Sequence, residues 1–314
     1  MAVNSAAPGL SLREEGARCK ASLEAFTENL ITKLAVSKPE AEQLCKYDRS
    51  RRDGNMYLHF PFCFLDAFPG VPIEAVRIVA LSAVLWMSYM RAQDDAVDKN
   101  RASAPILLFL RDLYLRESLR LLYTIFVPNS KFWDSYSAYF DEYAYAVLCE
   151  CRKHSSIESH YPEEEFCAIA KGKAAMAKYP LAALAELSGH HENVALLTES
   201  LDCFHVGYQY WDDVVDWKED LASSKYSLLL TRAFEGMENR EGSPDELRER
   251  IGHAVYYSGL AEANLEESNR WLERAYDLSI EARCTVWANY LKRLQKQAAV
   301  LADDLRLIMT KDTL

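Results

Sequence analysis

A chain of 314 residues with only eleven glycines and ten prolines has few places to turn. Average usage would supply roughly twice the glycine, and a sandwich or barrel needs a turn about every ten residues. Runs of alternating β-branched residues, the mark of half-buried strands, are also missing. Half of the residues are hydrophobic, enough for a sizeable core, so the chain must fold mainly as long helices. No Gly/Ser linker, composition shift or repeat period divides it. Residues 11–314 therefore read as one all-α domain of about ten helices, behind a flexible tail at residues 1–10.

Helix signals recur from end to end. Ser11 and Glu14 form a capping box opening a helix to about Ala35, and Ser37, Pro39 and Glu40 open the next. A loop from Tyr47 to Asn55 carries Arg49, Arg51 and Arg52, and an aromatic stretch from His59 to Pro72 leads into a long apolar helix, Ile73 to Asp98. Pro105 starts another, and Phe132 to His154 is the next. Glu163 to Ser188 is helical with an interruption at Tyr179 and Pro180. Gly189 to Asn193, with His190 and His191, is a loop, and Val194 to about Asp220 is a second long apolar helix. Ser243 to Glu246 caps a helix running into the 270s, and the last spans roughly Ile280 to Met309.

Composition narrows the function. The formal charge of −11, from 47 acidic and 36 basic residues, argues against a nucleic-acid binder, whose footprint would be a basic face. Eight cysteines lie scattered without a C-x₂-C pair, as small core residues of a reducing compartment rather than a disulfide or zinc framework. Met1 to Leu10 lacks signal-peptide order. Ala75 to Met90 contains Arg77, Ser82 and Ser88 and falls short of a membrane span. The expectation is a cytoplasmic protein.

The chemistry is concentrated at the ends of the two long apolar stretches. Asp94, Asp95 and Asp98 form one D-D-x-x-D, and Asp212, Asp213 and Asp216 form another, each preceded by a glutamine. Residues four apart share a helix face, so Asp94 aligns with Asp98, and Asp212 with Asp216 and Asp220. Like charges so stacked destabilise a helix, and acids at its C-terminus oppose its dipole. A sequence that does this twice is built for cations. Carboxylates suit hard ions, and magnesium takes one or two of them with waters and phosphate oxygens.

With these motifs the chain resembles the isoprenoid synthase superfamily, the class I terpene cyclases and trans-prenyl diphosphate synthases. Gln209, Asp212, Asp213 and Asp216 resemble the second aspartate motif of the prenyl diphosphate synthases. Lys171 and Lys173 resemble the lysine that family places before this motif, and Lys225 with Tyr226 its segment after it. The resemblance, from about Leu58 onward, implies an all-α isoprenoid synthase bundle around a central apolar cavity. It also implies about three Mg²⁺ bound with the substrate, diphosphate contacts from Lys171, Lys173, Gln209, Lys225 and Tyr226, and a homodimer, since related enzymes are often dimers.

Departures bear on the reaction. The basic segments that hold isopentenyl diphosphate in chain-elongating enzymes are replaced by Asn55 to Pro61 and by Lys99 to Ser103. A cyclase needs only one diphosphate site, and Asp212, Asp216 and Asp220 keep the spacing of the cyclase Asn/Asp, Ser/Thr, Glu triad. Asp216 to Asp220 also resembles the D-x-x-E-D of squalene and phytoene synthases. The first expectation is therefore a Mg²⁺-dependent class I terpene synthase that ionises a linear prenyl diphosphate. The alternatives are a prenyltransferase joining an allylic diphosphate to isopentenyl diphosphate, a second allylic diphosphate or another acceptor, and a catalytically silent partner subunit.

Ionisation leaves a carbocation, so the pocket must be dry and aromatic. Residues one and two turns before each motif are expected to line it: Trp86, Met87, Tyr89 and Met90 on one helix, Leu201, Phe204, His205 and Tyr208 on the other. In prenyltransferases the residue five before the first motif limits chain length; here it is Tyr89, which implies a substrate of about ten to twenty carbons.

Overall fold

In the computed structural model, residues 11–33, 59–98, 104–153, 161–223, 227–237 and 242–311 are described, with the backbone alone for residues 31, 94–98, 104–107, 153, 244 and 304–311. Twelve α-helices account for most of these residues, and no strand occurs among them. In chain order they are α1 (Leu12–Lys33), α2 (Phe60–Cys63), α3 (Ile73–Asp98), α4 (Ala104–Leu122), α5 (Phe132–Lys153) and α6 (Glu163–Lys173). There follow α7 (Tyr179–Ser188), α8 (Val194–Ala222), α9 (Leu228–Glu235), α10 (Pro244–Tyr257), α11 (Leu260–Glu281) and α12 (Thr285–Lys311). The fold is the all-α arrangement expected. The tail at residues 1–10, the helix opened by Ser37 and the loop with Arg49, Arg51 and Arg52 lie outside the described residues.

Three boundaries differ from the sequence reading. The break near Pro180 falls earlier: α6 ends at Lys173, a 3₁₀ turn covers Ala175–Lys178, and Pro180 is the second residue of α7. A proline is tolerated in a first helical turn, whereas its ring and missing N–H disrupt a helix passing through it. The helix expected from Ser243 into the 270s is two, parted at Gly259, whose φ of 78° suits glycine. The Ser243 capping box itself is present, with Glu246 N donating to Ser243 Oγ and Ser243 N to Glu246 Oε2. The final helix begins at Thr285 rather than Ile280, after Arg283 turns the chain at φ 55°. The short α9, which the sequence reading lacks, is capped by Ser227, whose Oγ accepts from Leu230 N.

The backbone divides into two compact units, Met1–Ser135 with Tyr179–Val194, and Tyr136–Lys178 with Ala195–Leu314. The first is built on α3. Three of its polar interruptions, Arg77, Ser82 and Ser88, are satisfied internally, which lets an apolar helix carry them. Arg77 binds Glu15 of α1 through both carboxylate oxygens, at 2.7 and 2.6 Å. The buried hydroxyls of Ser82, Ser118 of α4 and Tyr179 of α7 share hydrogen bonds of 2.8 and 3.0 Å, and Ser88 bonds back to Val84 O. Ile73–Gln93 is by length and composition alone apolar enough to cross a membrane, yet 61% of its most apolar window is buried inside the protein, as in a core helix.

The second unit is built on α8. Ser200 Oγ donates to Ala275 O of α11 at 2.7 Å and accepts from Trp287 Nε1 of α12 at 2.9 Å. Two turns on, Gly207 allows α8 and α11 to touch: Ser268 Oγ donates to Gly207 O at 2.7 Å, and a Cβ at 207 would stand 2.9 Å from Ser268 O. Backbone cannot yield as a side-chain tip can, so overpacking here outweighs the helix propensity alanine would gain. Gly207→Ala is expected to destabilise the protein by about 1–2 kcal/mol, read as a lower urea midpoint with unchanged slope.

Candidate functional site

The second aspartate motif occupies the C-terminal part of α8, where the sequence period places it. Asp212 and Asp220 are half-buried and Asp216 is exposed, three carboxylates at successive four-residue steps. Asp213 points the other way, inward, and is 1% exposed. Gln209, one turn before, donates from Nε2 to Asp213 Oδ1 at 2.9 Å. Asp213 Oδ2 is buried without a hydrogen-bond partner of ordinary geometry among the described residues; the Leu229 amide of α9 contributes only a weak pull on the carboxylate. The motif thus divides into an outward strip and one inward acid.

Electrostatics follow from that placement. Burial, reinforced by Asp216 and eased by Lys173, pushes the Asp212 carboxyl up to about 6. Burial pushes Asp213 further, to about 7, against the Gln209 hydrogen bond and with Asp220 and Asp212 adding repulsion. Asp216 is raised by its partial burial and by Glu219. Unmet negative charge of this kind calls for a counter-ion, and oxygen donors suit a hard divalent one. Among the described residues no three His, Cys, Asp or Glu side chains are gathered closely enough to hold a metal alone.

The two candidate lysines separate. Lys173, at the end of α6, pairs with Glu150 Oε1 of α5 at 2.7 Å, and its charge reaches Asp212. Lys171 instead places its ammonium over the Trp271 ring, 5.3 Å from the centroid. Lys225 and Tyr226 lie outside the described residues. A third partnership had no local signal: Tyr210, fully buried, donates to Glu163 Oε1 at 2.8 Å, and Arg232 of α9 donates to Glu163 Oε2 at 2.9 Å. This tie holds α6, α8 and α9 together beside Asp212 and Asp213.

The expected cavity residues of α8 join an aromatic cluster with α12. Phe204 meets Tyr208 at 5.9 Å, Trp287 at 5.4 Å and Tyr290 at 6.5 Å, and Tyr208 meets Trp211 at 5.5 Å between centroids. Phe204 and Leu201 are buried in the core, whereas Tyr208 is 41% exposed. His205 donates from Nδ1 to Leu201 O at 2.7 Å, and burial lowers its pKa to about 4, so it is a neutral interior ring. On α3, Trp86 and Tyr89 are buried and in edge contact at 5.2 Å, with Arg111 of α4 over the Tyr89 ring at 5.7 Å. Met87 and Met90 are half-buried. Asp94, Asp95 and Asp98 lie on the last turns of α3, their side chains outside what is described. His190 and His191 lie in the expected loop, His190 beside Glu192.

No family model matches the sequence, and no curated protein matches it. Solved structures match over nearly the whole chain. A heptaprenyl diphosphate synthase from Staphylococcus aureus superposes with a TM-score of 0.73 at 15% identity, over 91% of this chain and 98% of the other. A decaprenyl diphosphate synthase from Rhodobacter capsulatus gives 0.71 at 13%, over 91% and 99%. A polyprenyl synthase from Caulobacter crescentus, complexed with calcium and isoprenyl diphosphate, gives 0.68 at 14%, over 92% and 97%. The chain has the isoprenoid synthase fold, and these structural neighbours are trans-prenyl diphosphate synthases.

The raised carboxyls have a measurable consequence. Asp212 and Asp213 keep their protons to higher pH in the folded protein than near their ordinary value of 3.8. Between about pH 4 and 7 the folded state therefore binds more protons, and stability falls as pH rises. In metal-free protein, the melting temperature is expected to fall over this range, and Asp213→Asn should flatten the fall, recovering up to a few kcal/mol near neutrality.

Proposed function

We propose that this protein is a Mg²⁺-dependent prenyltransferase acting on an allylic prenyl diphosphate. What carries the reading is the strip of Asp212, Asp216 and Asp220 on α8 in a fold whose neighbours are prenyl diphosphate synthases. Those neighbours favour the transferase over the cyclase that the sequence put first. The calcium and isoprenyl diphosphate held by one of them support the pairing of a divalent ion with a diphosphate.

The donor set fits such an ion. Asp212 and Asp216 would hold it, and waters and diphosphate oxygens would complete its shell; the first motif, Asp94, Asp95 and Asp98, is a second set of carboxylates of the same kind. When bound, magnesium would draw off the negative charge that develops on the departing diphosphate. Lys173 would bind diphosphate oxygens by charge-assisted hydrogen bonds. Asp213, turned inward on Gln209, would fix the end of α8 rather than face the ion. The aromatic side chains Tyr208 and Phe204 would exclude water from the allylic cation and lay π density along it. Tyr89, fixed between Trp86 and Arg111, would stop the growing chain.

The cyclase is the second reading, favoured by the missing basic segments at Asn55 to Pro61 and Lys99 to Ser103. Geranyl, farnesyl and geranylgeranyl diphosphates with Mg²⁺ separate the two. The transferase releases diphosphate only when isopentenyl diphosphate or another acceptor is added, whereas a cyclase gives Mg²⁺-dependent hydrocarbon or alcohol from the allylic substrate alone. Asp212→Asn and Asp94→Asn are each expected to slow diphosphate release at least about a hundredfold. Unchanged rates in both would overturn the assignment of the acids.

A further inference from the structure

Glu150 was no part of the sequence reading, yet the packing of α5 on α6 places it with care. Gly172 has no room for a side chain, since a Cβ there would meet the Ala146 Cβ at 2.5 Å. Ala146 and Glu150 lie four residues apart and share one face of α5, and Lys173 follows Gly172. The close approach at Ala146 therefore sets Glu150 against Lys173, Nζ to Oε1 at 2.7 Å, with both side chains 35% exposed. Lys171, two residues back and so on the opposite side of α6, is held at Trp271 instead. Burial keeps the phenol of Tyr161 protonated, and the negative charges of Glu150 and Asp213 add to it.

We propose that Glu150 is a placeholder for the diphosphate: it holds Lys173 at the edge of the acidic strip in a salt bridge that the incoming diphosphate takes over. The inference rests on the diphosphate reading above and adds to it a residue outside both motifs. A partly exposed ion pair is weak, so it positions the ammonium without locking it. A diphosphate offers the ammonium more charge and more acceptor oxygens than one carboxylate does. Glutamine at 150 would keep the acceptor oxygen and the shape while removing the competing charge.

The test is a double-mutant cycle read by calorimetric titration of inorganic diphosphate in excess Mg²⁺, with thermal melts confirming that each protein is folded. Lys173→Gln is expected to weaken binding about tenfold. Glu150→Gln should tighten it about three- to tenfold, and in the Lys173→Gln background the same change should act by no more than about twofold. Equal tightening in both backgrounds would show plain relief of repulsion and overturn the placeholder role while leaving the diphosphate site standing. Weaker or unchanged binding in Glu150→Gln would overturn it as well. No Mg²⁺-dependent diphosphate binding by the unaltered protein would overturn both the placeholder and the reading beneath it.

Discussion

Three carboxylates at four-residue steps on one helix repel each other, and the rest of the second unit is arranged so that α8 survives them. The acids stand near its C-terminus, where the helix dipole makes them worse, and burial raises Asp212 and Asp213 further. The helix is held elsewhere. Ser200 ties its early turns to α11 and α12, Gly207 lets it lie against Ser268, and Tyr210 anchors it to Glu163 of α6 just before the acids begin. Trp217, within the acidic stretch, is buried and bonds Tyr256 of α10 through Nε1. Interactions along the apolar faces thus carry a segment that isolated helix propensity would fray.

Small residues set the distances at which this works. Gly172 against Ala146 and Gly207 against Ser268 bring helix backbones close, and the hydroxyls of Ser82 and Ser118 do the same for α3 and α4. At each such crossing the neighbouring residues inherit a fixed separation. Lys173 meets Glu150 because Gly172 meets Ala146, a polar contact determined by an apolar one a residue away. In α3 the same economy hides Ser82 and Ser88 inside an otherwise hydrophobic helix, while Arg77, partly exposed, is held by Glu15.

Much of this was legible from periodicity. The bounds of α3 and α8, the Ser243 capping box, and the common face of Asp212, Asp216 and Asp220 all follow from spacing within one helix. Even the Gln209 to Asp213 bond is a four-residue relation. What spacing cannot supply is phase relative to another helix. It could say that Lys171 and Lys173 point apart, but not that one would find Trp271 and the other Glu150. It could not pair Tyr210 with Glu163 or Arg232, because those partners meet only after α6, α8 and α9 have packed. Gly259 and Arg283 end helices by positive φ, and the apolar pattern runs through both, so the 3.6-residue period overran the breaks.

The same distinction bears on function. At 12 to 16% identity, the match to prenyl diphosphate synthases reflects helix lengths and apolar phase, which many sequences satisfy. Packing alone would be served better by neutral residues at 212, 216 and 220, which would relieve repulsion and spare the helix dipole. A local rule broken within a helix whose other positions obey it points away from stability and toward a ligand. The inward turn of Asp213 sharpens this argument, because an acid with nothing to position would be expected at the surface, where its charge is solvated. That contrast, one fully buried acid beside three that keep contact with solvent, is the physical ground for proposing that the chemistry of this protein lies at the end of α8.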